Sequence, residues 1–201
     1  MRSSHNGNWK RHPWRFFKQF VTHPKEVGAF AASSKRLAER VSEAAGVPNA
    51  EVVVEYGAGT GTITRVLRKK LRNEATFIAL EINPEFVEIF RKQLPDVELI
   101  EGSAENTMQY LQEHGKKGCD SIVSGLPWAA FEEELQDRLL DATLEALRPG
   151  GKFATYMYIS SFVLPAGRRF RKKLEGRFSK VGKSRVCWKN LPPAIVFWGE
   201  K

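Results

Sequence analysis

The stretch Val52-Val53-Val54-Glu55-Tyr56-Gly57-Ala58-Gly59-Thr60-Gly61 decides how the chain is read. Its first half is a short β-branched run of the length and composition of a buried strand. Three glycines then alternate with small residues, which lets the backbone turn tightly and approach a ligand closely. A basic amphipathic pattern follows over Thr60–Leu71. A strand that turns through glycines into a helix aims the helix's free N–H groups at whatever sits on the turn. Alone, this motif announces only something nucleotide-like.

Outward from the turn, strand and helix patterns alternate. Ala75–Leu80, Val97–Ile100, Asp120–Ser124 and Lys152–Ile159 read as strands. Pro84–Gln93, Ala104–Glu113 and Phe131–Leu147 read as helices, the first with Asn83 as N-cap and Pro84 at its first position. This order predicts an α/β fold with a doubly wound parallel sheet. Ser179–Trp188 and Ala194–Trp198 read as a closing antiparallel pair joined by Lys189-Asn190-Leu191-Pro192-Pro193.

Three features after the turn carry chemistry. Glu81 ends the second strand, roughly 20 residues on, where a carboxylate accepts both hydroxyls of a ribose. Gly102-Ser103-Ala104-Glu105 follows the third strand, where an adenine edge would lie, although Ser103 is equally placed to cap the next helix. Ser124-Gly125-Leu126-Pro127-Trp128 follows the fourth strand. Trp128 has two roles open to it, core packing or a ring face for a cation. Tyr156 and Tyr158, two apart on the fifth strand, share one face, for substrate contact or ordinary packing.

The order of glycine turn, acid, adenine loop and Leu-Pro-aromatic loop resembles that of the class I S-adenosylmethionine (SAM) methyltransferases. That resemblance implies a seven-stranded Rossmann-like sheet with one antiparallel C-terminal strand and SAM as cofactor. It implies cofactor contacts from Glu55, Tyr56, Gly57, Gly59 and Gly61, from Glu81 and Ile82, from Ser103 and Ala104, and from Ser124. Ser33 and Ser34 would N-cap a helix starting near Lys35 and fold over the methionine end. Gly125, Trp128, Tyr156 and Tyr158 would face the reactive methyl. No metal is implied.

Three separated segments narrow the resemblance. Pro24-Lys25-Glu26-Val27-Gly28-Ala29-Phe30-Ala31-Ala32-Ser33-Ser34, Ser124-Gly125-Leu126-Pro127 and Asn190-Leu191-Pro192-Pro193-Ala194 are similar to the bacterial phospholipid N-methyltransferases. Such enzymes methylate the amine of phosphatidylethanolamine towards phosphatidylcholine at an anionic membrane surface. The runner-up is the ribosomal RNA adenine dimethylases, whose loop reads Asn-Leu-Pro-aromatic and whose Asn carbonyl accepts the adenine amino proton. Gly125 stands where that amide would be, which counts against a base as acceptor.

Charge distribution agrees with an anionic partner. The net charge is +9, with six basic side chains and no acid in residues 1–25, and nine basic against one acid in residues 167–186. The rest of the chain is net acidic. Trp14, Phe17, Phe20 and Val21 share a helical face, so residues 1–34 are expected to form a basic amphipathic segment ahead of a catalytic domain at 35–201. That segment is suited to a membrane interface or to capping the domain. No run approaches the ~20 apolar residues of a membrane span, and no signal-peptide h-region is evident. Two cysteines without metal spacing fit a reducing, cytoplasmic chain, and the resemblance to the phospholipid N-methyltransferases implies that it rests on the inner face of the cell membrane.

Overall fold

The computed structural model describes residues 27–162, 164–188 and 190–201, the first eight of them as backbone only. The amphipathic segment expected over Trp9–Val21 lies outside the described residues. Among the described residues, no helix is long and apolar enough to cross a membrane.

Seven strands form a single sheet: β1 (Val52–Tyr56), β2 (Thr76–Glu81), β3 (Leu99–Glu101), β4 (Cys119–Ser124), β5 (Leu147–Tyr158), β6 (Lys180–Lys183) and β7 (Ala194–Glu200). Their spatial order is β3-β2-β1-β4-β5-β7-β6. β1 to β5 pair in parallel, while β7 runs antiparallel to both β5 and β6. All five residues of β1 are buried, because it has neighbours on both edges and helices over both faces. The chain winds outward from β1 to β3 and then returns to β4. The carboxyl ends of β1 and β4 therefore flank the switch point, where a crevice opens in this fold.

α1 (Val27–Ala44), α2 (Thr64–Lys70) and α3 (Pro84–Gln93) cover one face, with Leu37, Val41, Leu67 and Phe90 in its core. α4 (Thr107–Glu113), α5 (Glu133–Ala146) and α7 (Pro165–Arg177) cover the other, around Leu111, Leu140, Phe170 and Leu174. A short α6 (Ile159–Phe162) follows β5 directly. Asn83 caps α3 as expected, its side chain accepting from the Glu85 N–H at 2.9 Å.

Several boundaries differ from the sequence reading. α2 begins at Thr64 rather than Thr60, because Gly57, Gly59 and Gly61 all hold positive φ (68°, 56° and 82°) and keep the segment out of the helix. Ser33 and Ser34 sit inside α1, which runs unbroken from Val27, so they cap no helix. The helix expected over Ala104–Glu113 splits into a 3-10 turn, Ala104–Asn106, and α4. β6 stops at Lys183, beyond which only an isolated bridge joins Cys187 to Ala194.

Candidate functional site

The glycine turn and the loop after β4 meet at the switch point. The Gly125 N–H donates to the Tyr56 carbonyl at 2.8 Å, and the Gly57 N–H donates to Leu80 at 2.9 Å. A Cβ on Gly125 would lie 2.9 Å from the Gly57 oxygen and 3.5 Å from the Tyr56 oxygen. Gly125 is thus a glycine for want of room. The Leu126 side chain fills the space beside Gly57, where a Cβ would come within 2.8 Å of it. Gly59 differs from its neighbours, for a Cβ there meets nothing within 4 Å. That open side leaves backbone accessible to a ligand.

Glu81 is buried to 4% exposure at the end of β2. Its Oε2 accepts from the Gly59 N–H at 2.8 Å, and its Oε1 from the N–H groups of Ile82 and Asn83 at 2.8 Å each. Burial raises its pKa, against the pull of these three donors. A carboxylate has about four acceptor sites, so about one remains for a hydroxyl. Ile82 is half-buried beside it.

Glu55 lies at 1% exposure on the α2 side of β1. The Thr64 hydroxyl donates to its Oε2 at 2.7 Å, while its Oε1, equally buried, has no partner. Burial pushes its pKa to about 8, the Thr64 bond lowering it and nearby Glu81 raising it. An orphaned acceptor at the root of the glycine turn suits a cation or donor arriving from outside. The sequence reading missed Thr64, whose only signal is its place in the first turn of the helix behind the motif.

The Glu55 shift has a consequence for stability. From the unfolded value near 4.5 up to about 8, the folded protein keeps a proton that the unfolded chain releases. Stability of the ligand-free protein is therefore expected to fall as pH rises through that window, by at most about 1.4 kcal/mol per pH unit for this group. Glu81, also raised, adds in the same direction. Urea titrations across the window should show a shallower slope for Glu55→Gln; an unchanged slope would remove Glu55 as the source.

Three expected site residues, Trp128, Ser124 and Tyr56, turn their side chains into the core. Trp128 is 1% exposed, stacked on Phe170 at 4.7 Å and edge-on to Phe153 and Phe131. Its Nε1 donates to the Ser124 hydroxyl at 3.0 Å, so it offers no ring face to a substrate cation. Ser124 is itself fully buried, its hydroxyl taken by Trp128 and Leu126 and its carbonyl by Thr155. The Tyr56 ring is in the core and its hydroxyl accepts from Thr107 at 2.9 Å. Ser103 caps the 3-10 turn by accepting from the Glu105 N–H at 3.2 Å, with Ala104 buried behind it.

Tyr156 and Tyr158 do share a face, that of α1, with rings 5.9 Å apart. Both are half-buried, and burial raises both phenol pKa values. Glu55 contributes to the shift of Tyr156, which places that ring within its electrostatic reach. Of Ser33 and Ser34, the helical backbone alone is described. Among the described residues, no cluster of His, Cys, Asp or Glu suits a metal.

A family described as a methyltransferase domain matches residues 53–151. The ornithine lipid N-methyltransferase of Singulisphaera acidiphila is 31% identical over 186 residues, covering 91% of this chain and 93% of that enzyme. The ribosomal RNA small subunit methyltransferase A of Thermotoga petrophila is 38% identical over 78 residues, 37% of this chain and 29% of that enzyme. Among solved structures, the O-methyltransferase TomG of Streptomyces achromogenes, bound to SAM, aligns with TM-score 0.65 and 18% identity over 93% of this chain and 95% of its own. A putative rRNA methylase from Clostridium thermocellum aligns with TM-score 0.61 and 17% identity over 82% and 93%.

Proposed function

This chain belongs to the class I SAM-dependent methyltransferases, and from that premise we propose that it methylates the amine of a membrane lipid headgroup, phosphatidylethanolamine first among them. The observation that carries the reading is Gly125. The loop that faces the acceptor has no space for the amide with which an adenine methylase would hold a base. The lipid relative, similar along nearly the whole chain, supports a headgroup amine; the RNA relative matches only a third of it.

SAM supplies an electrophilic methyl on a sulfonium. Glu81 would hold the ribose through its remaining acceptor site, and Glu55 Oε1 would receive the methionine ammonium. Gly57, Gly59 and Gly61 would let the backbone close on the cofactor, with Ile82, Ser103 and Ala104 bordering the base. An alkylammonium has a pKa of about 10.4 and must lose a proton before its nitrogen can attack. Among the described residues, the Gly125 carbonyl accepts no hydrogen bond. It would accept an N–H of the amine that arrives neutral, its proton already released to solvent, and turn the lone pair towards the methyl, while Tyr156 and Tyr158 would line the approach. Alignment would then supply most of the acceleration.

The test is product identification. Anionic vesicles carrying phosphatidylethanolamine or an ornithine lipid, incubated with SAM and the protein, should yield N-methylated headgroups by mass spectrometry. Unmodified lipids in every vesicle would overturn the assignment.

A further inference from the structure

Of the four large apolar side chains exposed among the described residues, Ile89 lies on α3 and the other three lie at the end of the sheet where β5 stops and β7 starts. Trp188 is 72% exposed, Leu191 51% and Leu164 50%. Trp188 and Leu191 lie on the loop from β6 to β7, and the base of that loop is fastened. Cys187 bridges Ala194, whose strand partner is Tyr158 at the carboxyl end of β5. The Asn190 N–H donates to the Cys187 carbonyl at 3.0 Å, its side chain donates to Pro192 at 2.6 Å, and Arg40 donates to the Arg185 carbonyl at 3.1 Å. Leu164 immediately precedes α7, at the same end of the sheet. The loop sits two strands from the switch-point crevice, about 10 Å by strand spacing.

Charge sorts itself around this tip. Lys173 and Arg177 are paired with Asp137, and Lys180 with Glu200, away from it. Exposed Arg168, Arg169, Lys172, Lys183 and Arg185 form no ion pair among the described residues. Between Lys152 and Glu200 the only acid is Glu175, which pairs with Arg171 at 3.6 Å. A fastened loop that exposes a tryptophan and a leucine beside unpaired cations has the make-up of a bilayer interface. Single-stranded nucleic acid would stack on Trp188, but it offers nothing to Leu164 and Leu191.

We propose that Trp188, Leu191 and Leu164 form a wedge that enters the headgroup region of an anionic bilayer, with Arg168, Arg169, Lys172, Lys183 and Arg185 on the surrounding phosphates. The wedge turns the carboxyl ends of the strands, and so the crevice, towards the membrane. This rests on the lipid-amine reading and adds the surface through which the substrate is reached. It is independent of residues 1–26.

The experiment uses the full chain and vesicles of phosphatidylglycerol with phosphatidylethanolamine, some carrying brominated acyl chains. Trp188 emission, taken as the difference between wild type and Trp188→Phe, should be quenched by the bromines. Trp188→Ala with Leu191→Ala should weaken vesicle sedimentation about tenfold, as the loss of two partly buried apolar side chains implies, while leaving the melting temperature and SAM affinity unchanged. Unquenched Trp188 with unaltered sedimentation would overturn the wedge, as would wild-type dimers that the double variant dissociates, or RNA binding lost in its place. Methyl transfer to a water-soluble, short-chain phosphatidylethanolamine reads the lipid-amine function separately. The double variant should retain it, and its absence in the wild type would sink the function whatever the vesicles show.

Discussion

Replacing Glu81 by alanine is expected to cost about 2–4 kcal/mol of stability and to weaken SAM binding by more than about tenfold. The stability loss arises because the carboxylate is more than a ligand hook. It gathers three backbone N–H groups, from Gly59, Ile82 and Asn83, each at 2.8 Å in a nearly dry site. Hydrogen bonds to a charged acceptor contribute roughly 1.5–3 kcal/mol each, and water can restore only part of that set. The Gly59 bond also ties the glycine turn to the end of β2, so its loss loosens the turn. Glu81→Gln keeps the size and one acceptor oxygen but puts an NH2 on the other position; it should fall between wild type and alanine. Urea unfolding and calorimetric titration with SAM check the two effects separately. Weakened SAM binding at unchanged stability would mean that the three N–H groups find other partners. Unchanged SAM affinity would place the ribose elsewhere.

Gly125→Asn, the change that copies the adenine-methylase loop, is expected to impair the protein rather than redirect it. The clash begins at the first side-chain carbon, 2.9 Å from the Gly57 oxygen. Relief would have to come from the glycine turn, held by Gly57 and Ala58 N–H bonds to Leu80, or from the Gly125 bond to Tyr56. Overpacking of this kind costs about 1–3 kcal/mol, and here it displaces the turn that carries the cofactor. Gly125→Ala should therefore lose SAM affinity and lipid methylation nearly as severely as Gly125→Asn. Gain of RNA methylation by the asparagine variant, with SAM affinity intact, would show that the loop does have room and that Gly125 is no evidence against a base.

The parts of this molecule legible in the sequence are those governed by local chemistry. Val52–Tyr56 reads as a buried strand because β1 is covered on all sides, and Asn83-Pro84 reads as a helix start because cap and fixed φ are local properties. Glu81 is recognisable from its distance past the turn. What stayed hidden depends on contacts made across the fold. Three positive-φ glycines delay α2 by a turn, which a helical pattern alone does not register. Tyr56 and Trp128 look like site residues in a motif, yet their rings turn into the α4–α5–α7 core, where Thr107 and Ser124 meet their polar atoms. Ser33 and Ser34 look like caps, but α1 has already begun at Val27. Trp188 stands exposed next to Cys187, which bridges Ala194 and accepts from Asn190, an arrangement that no spacing discloses.

A lipid amine and a nucleic-acid base are the two acceptors to be told apart. The most direct test is a competition in one reaction, with methyl-labelled SAM, anionic vesicles containing phosphatidylethanolamine, and deproteinised ribosomal RNA, separated afterwards by solvent extraction. Label is expected in the lipid phase, with none above background in RNA. Label in the RNA with an unlabelled lipid phase would overturn the lipid-amine function.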